Sequence, residues 1–314
     1  MSKFILCLCA IILNSLCSSA DAKTIVAITK IAPHPSLDAI EKGIMDELKN
    51  SGFDVEFRRD NAQGNIVTAV QIAKKYAGLK PALIIPIATP SAQTVYQAAF
   101  PENIPVVYAA VSDPVAAKLI DAKSQMGKNI TGVSDLSPVA DQVDLIKNLQ
   151  PSAKEIGILY NPGEKNSTVL ADLFKKEGVE KGFKITLFPC TSLIDLVTVT
   201  KRIQGKVDAL YIPNDNTIIS GLNIVLSNLN EMPVYSADPE SVAKGCVGSV
   251  AMQQYQIGLE VGKLAARVLK GEDPSTIPAV QAEKVQITLN QQVADRLKIE
   301  IPSALKKTAI TLGD

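Results

Sequence analysis

Residues 82–93 read Ala82-Leu83-Ile84-Ile85-Pro86-Ile87-Ala88-Thr89-Pro90-Ser91-Ala92-Gln93, and the fold turns on this stretch. Its first half is a short Ile-rich run, the pattern of a strand covered on both faces. It breaks into Thr89-Pro90, which suits a helix start because the missing proline N–H is not needed in a first turn. A buried strand feeding straight into a helix is the unit of a parallel α/β sheet. The same grammar recurs on both sides. Residues 24–29, 55–58, 105–110 and 130–133 are further Val- and Ile-rich runs, and they too read as strands buried on both faces. Between the first two, Leu37, Ile40, Ile44 and Leu48 recur at helical spacing and Gly52 follows as a terminator.

A second series lies at residues 155–160, 184–189, 209–213, 234–237 and 247–252. Starts near 24, 55, 82 and 105 are matched by starts near 155, 184, 209 and 234, at offsets of 131, 129, 127 and 129. So constant an offset predicts two doubly wound α/β lobes of one plan. The first lobe is expected over residues 23–135 and the second over 136–252. Residues 134–137 form the crossing, and Ser137-Pro138 caps a helix to about Leu149. The remainder, 253–314, holds a helix from Tyr255 to Leu269 ending at Gly271, a strand over 284–289 and a last short helix. A simple tandem leaves this tail surplus, so part of 253–283 is expected to cross back to the first lobe and make a hinge of several segments.

The chain opens with Lys3, an uncharged run from Phe4 to Leu13 and the small residues Ser18-Ser19-Ala20-Asp21-Ala22. That order is a secretory signal with cleavage after Ala22, and the run is too short to span a bilayer. Lipid attachment at Cys17 is disfavoured because Leu16, not a small residue, precedes it. The exported protein is expected in the periplasm. Removing Lys3 and Asp21 leaves 31 charges of each sign, and only Cys190 and Cys246 remain of five cysteines. Their expected place on opposite edges of one sheet makes them two buried thiols.

With 32 basic and 32 acidic residues the chain is neutral, has one His and no Trp, and is 46% hydrophobic and 20% charged. The balance is globular, lacks the basic footprint of nucleic-acid binding and leaves too few ligands for a His-rich metal site. No Gly-x-x-x-x-Gly-Lys or Gly-x-Gly-x-x-Gly loop is present, so no nucleotide cofactor, or any other, is expected. A Ser-His-Asp hydrolase would have to recruit His34, and no Gly-x-Ser-x-Gly elbow stands at a strand end. A two-lobed racemase needs one cysteine from each half, whereas both remaining cysteines fall in the second.

In open parallel sheets ligands bind beyond the carboxyl ends of the strands. Four such ends carry a capping residue followed by proline: Thr89-Pro90, Asp113-Pro114, Asn161-Pro162 and Asp238-Pro239. A fifth, Asn214-Asp215-Asn216-Thr217, is polar without proline. Each reads as a plain helix cap or as a ligand contact. Free helix amides at Thr89-Pro90-Ser91 would hold a carboxylate, and Asp215 or Asp238 opposite would take an ammonium group. Glu164 and Glu240 are less constrained. Tyr108, Tyr160, Tyr211 and Tyr235 fit core packing, and His34 fits loop capping as well as ligand contact.

In order and spacing these residues resemble the substrate-binding proteins of ABC transporters, in the branch for tryptophan, tyrosine and phenylalanine uptake. The carriers are His34-Pro35-x-Leu37-Asp38, Asn61-Ala62-Gln63-Gly64, Ile87 to Gln93, Ala109 to Val115, Asn129 to Asp135, Leu159 to Pro162 with Glu164 and Asn166-Ser167, and Ile212 to Thr217. The resemblance implies a type I periplasmic-binding fold, two lobes on three hinge segments closing over a ligand. It implies that Thr89, Ser91, Gln93, Ser112 and Asp113 line the first lobe and Asn161, Asn166, Ser167, Asp215, Asn216 and Asp238 the second, with His34, Tyr160, Glu240 and Tyr255 as further candidates. Met252-Gln253-Gln254-Tyr255 and Asp238-Pro239-Glu240 depart from the usual runs. The expected protein is a monomeric, non-enzymatic carrier of a free, aromatic amino acid, partnered by an ABC permease and its ATPase. A receptor reporting to a membrane sensor is the rival.

Overall fold

The computed structural model describes residues 23–313, and the expected export signal with its cleavage site and Cys17 lies outside the described residues. The first lobe contains β1 (Thr24–Lys30), α1 (Pro35–Asn50), β2 (Val55–Asn61), α2 (Ile66–Leu79), β3 (Leu83–Ile87), α3 (Thr89–Ala99), β4 (Val106–Ala109) and β5 (Ile130–Ser134). The second continues with α4 (Val139–Leu149), β6 (Glu155–Tyr160), α5 (Lys165–Glu180), β7 (Lys184–Pro189), α6 (Leu196–Ile203) and β8 (Ala209–Ile212). It then runs through α7 (Asn216–Ser220), α8 (Leu222–Asn228), β9 (Val234–Ser236), α9 (Glu240–Lys244) and β10 (Gly248–Met252). The tail adds α10 (Gln254–Leu269), β11 (Val280–Gln281), β12 (Val285–Asn290), α11 (Gln291–Arg296), α12 (Ser303–Lys306) and β13 (Ile310–Leu312).

The strands form two sheets, ordered β11-β5-β4-β3-β1-β2 and β13-β12-β10-β9-β8-β6-β7. Without the tail strands, β5-β4-β3-β1-β2 in one is β10-β9-β8-β6-β7 in the other, so the constant sequence offset is a repeated topology. All pairings are parallel except β10 with β12. β2 departs from the double burial expected of residues 55–58, and β7 matches it in being poorly covered. β2 and β7 are edge strands, and most of their residues are only partly covered.

The chain passes between the sheets three times, from β5 to α4, from β10 to α10 and from β11 to β12. Ser137 does not cap α4; its hydroxyl instead accepts the Asn214 side-chain amide at 3.2 Å. The returning α10 lies on α1 with backbones in direct contact. A methyl group at Gly258 would stand 2.3 Å from the Ile40 carbonyl oxygen, and one at Gly43 2.5 Å from that of Tyr255. Ile257, Val261, Leu264 and Ala265 of α10 join β1, β3 and β4 in the first core. At roughly 1.5–3 kcal/mol for a fully buried aliphatic side chain, this one helix supplies a large share of that lobe's stabilisation.

The second lobe has a core on each sheet face. Tyr211 stacks on Phe174 with centroids 3.8 Å apart and donates its hydroxyl to Gln142 Oε1 at 2.5 Å. Tyr108 and Tyr235 are likewise buried, in agreement with core packing. Cys190 and Cys246 are both buried, unpaired thiols, and burial raises the pKa of each. They do not lie on opposite sheet edges: β12 and β13 stand beyond β10, and both thiols join one cluster with Leu159 and Ile212.

Candidate functional site

The carboxyl ends of the strands in the two sheets face one another across a cleft of about 580 Å³, part of it open to solvent. From the first lobe it is lined by Ala32, His34, Ser36 and Leu37 after β1, Ala88 and Thr89 after β3, Ala110 and Ser112 after β4, and Asp135 after β5. The second lobe supplies Asn166, Asn214, Asp215, Asn216, Ile219, Ser220 and Asp238, and Gln254 adds the start of α10. None of these lining residues is Lys or Arg.

The start of α3 is prepared for an anion. Ala88, at φ 73° and ψ 155°, occupies a region nearly reserved for glycine, and Ala110 also has a positive φ of 52°. No side chain caps the helix, and its first described intrahelical bond runs from Ala92 N to Ala88 O at 3.0 Å. The amides of Thr89 and Ser91 therefore precede the ladder, at the positive end of the helix dipole. Thr89 Oγ1 and Ser91 Oγ are buried and have no hydrogen-bond partner among the described residues. Buried hydroxyls left unpaired are costly, and a ligand oxygen relieves that cost.

Asp135 supplies the opposite charge. It is buried, accepts from Ser112 Oγ at 3.1 Å and from Asn214 Nδ2 at a long 3.4 Å, and has no ion-pair partner among the described residues. Burial pushes its carboxyl up to about 6 despite the Ser112 bond.

Asp215 is differently placed. Its oxygens accept from Asn161 N at 2.5 Å, Ser167 Oγ at 2.6 Å and Ile218 N at 2.8 Å, so it caps α7 and ties the ends of β6 and β8 to the start of α5. Burial, followed by the neighbouring Glu164 charge, raises it to about 7. Glu164 accepts from the backbone amides and side chains of both Asn216 and Thr217. The two acids hold the second-lobe rim rigid. Asn166 donates to the Asn214 carbonyl at 2.7 Å, while its own Oδ1 is buried without a partner among the described residues.

Across the cleft, Asp238 accepts from Ser241 N and Oγ in its own lobe, at 2.8 and 2.6 Å, and from Ser36 Oγ of the first lobe at 2.5 Å. His34 Nε2 stands 3.6 Å from the same carboxylate. The lobes are thus in contact, and α3 also meets α5.

Of the residues anticipated for the site, Thr89, Ser112, Asn166, Asp215, Asn216, Asp238 and His34 line the cleft. Ser91, buried in the first turn of α3, is not among the lining residues. The others are placed elsewhere. Gln93 donates to the Ala117 carbonyl, Asp113 caps Ala116, and Asn161 holds Gly163 and Thr217. Ser167 serves Asp215, and Tyr160 packs against the second-lobe core. Glu240 is solvent-exposed. Tyr255 is turned to the outer surface, where its hydroxyl donates to Asp46 at 3.0 Å beneath Lys42. Ser36, Asp135 and Gln254 are polar lining residues that were not anticipated, and Asn214, noted only as part of a polar strand end, lines the cleft with them. Asp135 directly follows a strand, the positional signal that marked its neighbours.

The family model for ABC transporter substrate-binding proteins matches residues 25–312. A curated tyrosine-binding protein of Clostridioides difficile is 31% identical over 285 residues, covering 89% of this chain and 82% of its own length. The structure of an ABC domain in complex with L-Trp from Streptococcus pneumonia is 32% identical, with a TM-score of 0.89 over 92% of this chain and 99% of that one. The ligand-free, open structure of a substrate-binding protein with adhesive properties from Clostridium difficile is 33% identical over the same shares, with a TM-score of 0.70.

Proposed function

Because the chain belongs to the ABC transporter substrate-binding protein family, we propose that it captures a free α-amino acid, an aromatic one, by closing its two lobes. The observation that carries this reading is the pairing of an uncapped helix start, bearing the unpartnered hydroxyls of Thr89 and Ser91, with the carboxylate of Asp135, which has no ion-pair partner among the described residues. A zwitterion answers both: its carboxylate takes the α3 amides and hydroxyls, and its ammonium group takes Asp135. Ala88, Ala110, Leu37 and Ile219 give an apolar bed for the side chain. The Asp215 carboxylate, which accepts three hydrogen bonds within its own lobe, holds the rim and leaves the ammonium group to Asp135.

Closure follows from differential contact. An open form exposes both rims, and ligand held by the first lobe gains Asn166 and its neighbours only when the second arrives, so the closed population rises by that difference. The closer likeness to the L-Trp complex than to the open, ligand-free structure supports reading the present conformation as closed. No bond is made or broken. The exported, periplasmic chain acts as a monomer and delivers its ligand to an ABC permease and its ATPase.

Thermal-shift screening of the purified protein against amino acids, sugars and nucleosides tests this. An aromatic amino acid at a hundred times its Kd should add about 2.7 kcal/mol of stability. A response confined to sugars or nucleosides overturns the reading.

A further inference from the structure

The cleft has a second polar end that the amino-acid head group does not use. In the first sheet the strands whose ends reach the cleft run β5, β4, β3, β1 in adjacent order. Asp135 and His34 therefore stand at the two ends of a row three strand intervals long, roughly 14 Å at about 4.8 Å per interval. Between them Ala110, Ala88 and Leu37, with Ile219 opposite, give an apolar face beside the hydroxyl-bearing Ser112 and Thr89.

At the far end the hydrogen bonding is incomplete in a specific way. The Ser36 amide donates to His34 Nδ1 at 3.3 Å, which places the imidazole proton on Nε2. That Nε2–H is buried and has no hydrogen-bond partner among the described residues. Asp238 Oδ2, at 3.6 Å, is too far for a hydrogen bond and already receives both donors of Ser241. Among the described residues Asp238 Oδ1 accepts only from Ser36 Oγ, which leaves it one lone pair. A buried donor without an acceptor thus lies beside an acceptor with room for a donor.

Few groups complete that pair. A carboxylate would face the Asp238 charge, an ammonium group offers no lone pair to Nε2, and a hydrocarbon leaves both atoms unsatisfied. A hydroxyl accepts from His34 and donates to Asp238 at once. We propose that His34 and Asp238 read a hydroxyl at the tip of the ligand side chain, so that the cleft selects tyrosine over phenylalanine. An amino-acid head group, one methylene and one ring with a terminal hydroxyl, hydrogen-bonded at both ends, fits the length of the row. This rests on the amino-acid reading above and names the member of that class.

Isothermal titration of the purified protein with L-tyrosine and L-phenylalanine, which differ by this one hydroxyl, tests the assignment. Tyrosine should bind about tenfold more tightly or better, the scale of a hydrogen bond to a charged group. In His34→Asn, which keeps a side-chain acceptor for the Ser36 amide but loses Nε2, the ratio of the two affinities should fall toward one. Asp238→Asn should do the same, and melting of each unliganded variant verifies that it folds. Equal affinities in the wild type overturn the proposal, as does a ratio preserved in folded His34→Asn. If neither amino acid binds while a sugar or nucleoside does, the amino-acid reading fails and this one falls with it. Binding of both amino acids without preference rejects the hydroxyl reader alone.

Discussion

Asp135 carries a charge that nothing else in the cleft wall answers, and this makes binding depend on protons. Its folded pKa of about 6 stands above the ordinary carboxylate value near 3.9, so between roughly pH 4 and 6 the folded chain holds a proton that the unfolded chain has lost. Stability from this group is present at low pH and is lost as pH rises through that window. An ammonium ligand favours the charged form, so affinity for an amino acid should rise from pH 5 to 7.5 and then level. Titration calorimetry near pH 6 in buffers of different ionisation heat should register proton release, and Asp135→Asn should abolish both effects. Affinity that is flat with pH would remove Asp135 from the ammonium site. His34, lowered by burial, pulls stability the other way as pH falls below about 6.5, so the comparison with Asp135→Asn is the decisive one. Thr89, Ser112 and Asp238 were legible in the sequence because a polar residue after a buried strand has one place to go. Asp135 was not singled out, since its neighbours Ser112 and Asn214 come from two lobes and are 23 and 79 residues away. Tyr255 was misplaced because the start of a helix says nothing about which way its first side chains turn.

At the scale of elements, the contact of α1 with α10 matters most, since it fastens the tail to the first lobe. Gly43, Gly258 and Gly262 leave no room for a side chain between the helices. Gly258→Val should cost at least about 1–3 kcal/mol, read as a lower midpoint in denaturant with an unchanged slope. An unaffected midpoint would mean that the helices separate at little cost. The strand and helix rhythm was readable from Val and Ile runs, and the constant offset forecast two sheets with one strand order. The antiparallel entry of β12 was not readable, because burial periodicity is the same in either direction. The two-residue β11 and three-residue β13 are too short to leave a pattern and exist only because a sheet edge is there to pair with.

For the whole molecule, the Ser36 to Asp238 bond and the meeting of α3 with α5 belong to a state in which the lobes touch. Solution scattering should show a smaller radius of gyration on saturation with ligand, and an unchanged radius would count against closure. The threefold passage of the chain has a further consequence for how the protein is made. The helix that completes the first core begins at Gln254, and the second sheet receives β12 and β13 only from the last thirty or so residues. A nascent chain that has emerged only as far as β10 therefore owns two unfinished halves, each with an uncovered apolar face. Such a chain has little to gain from early collapse, so both cores should close only when synthesis is nearly over.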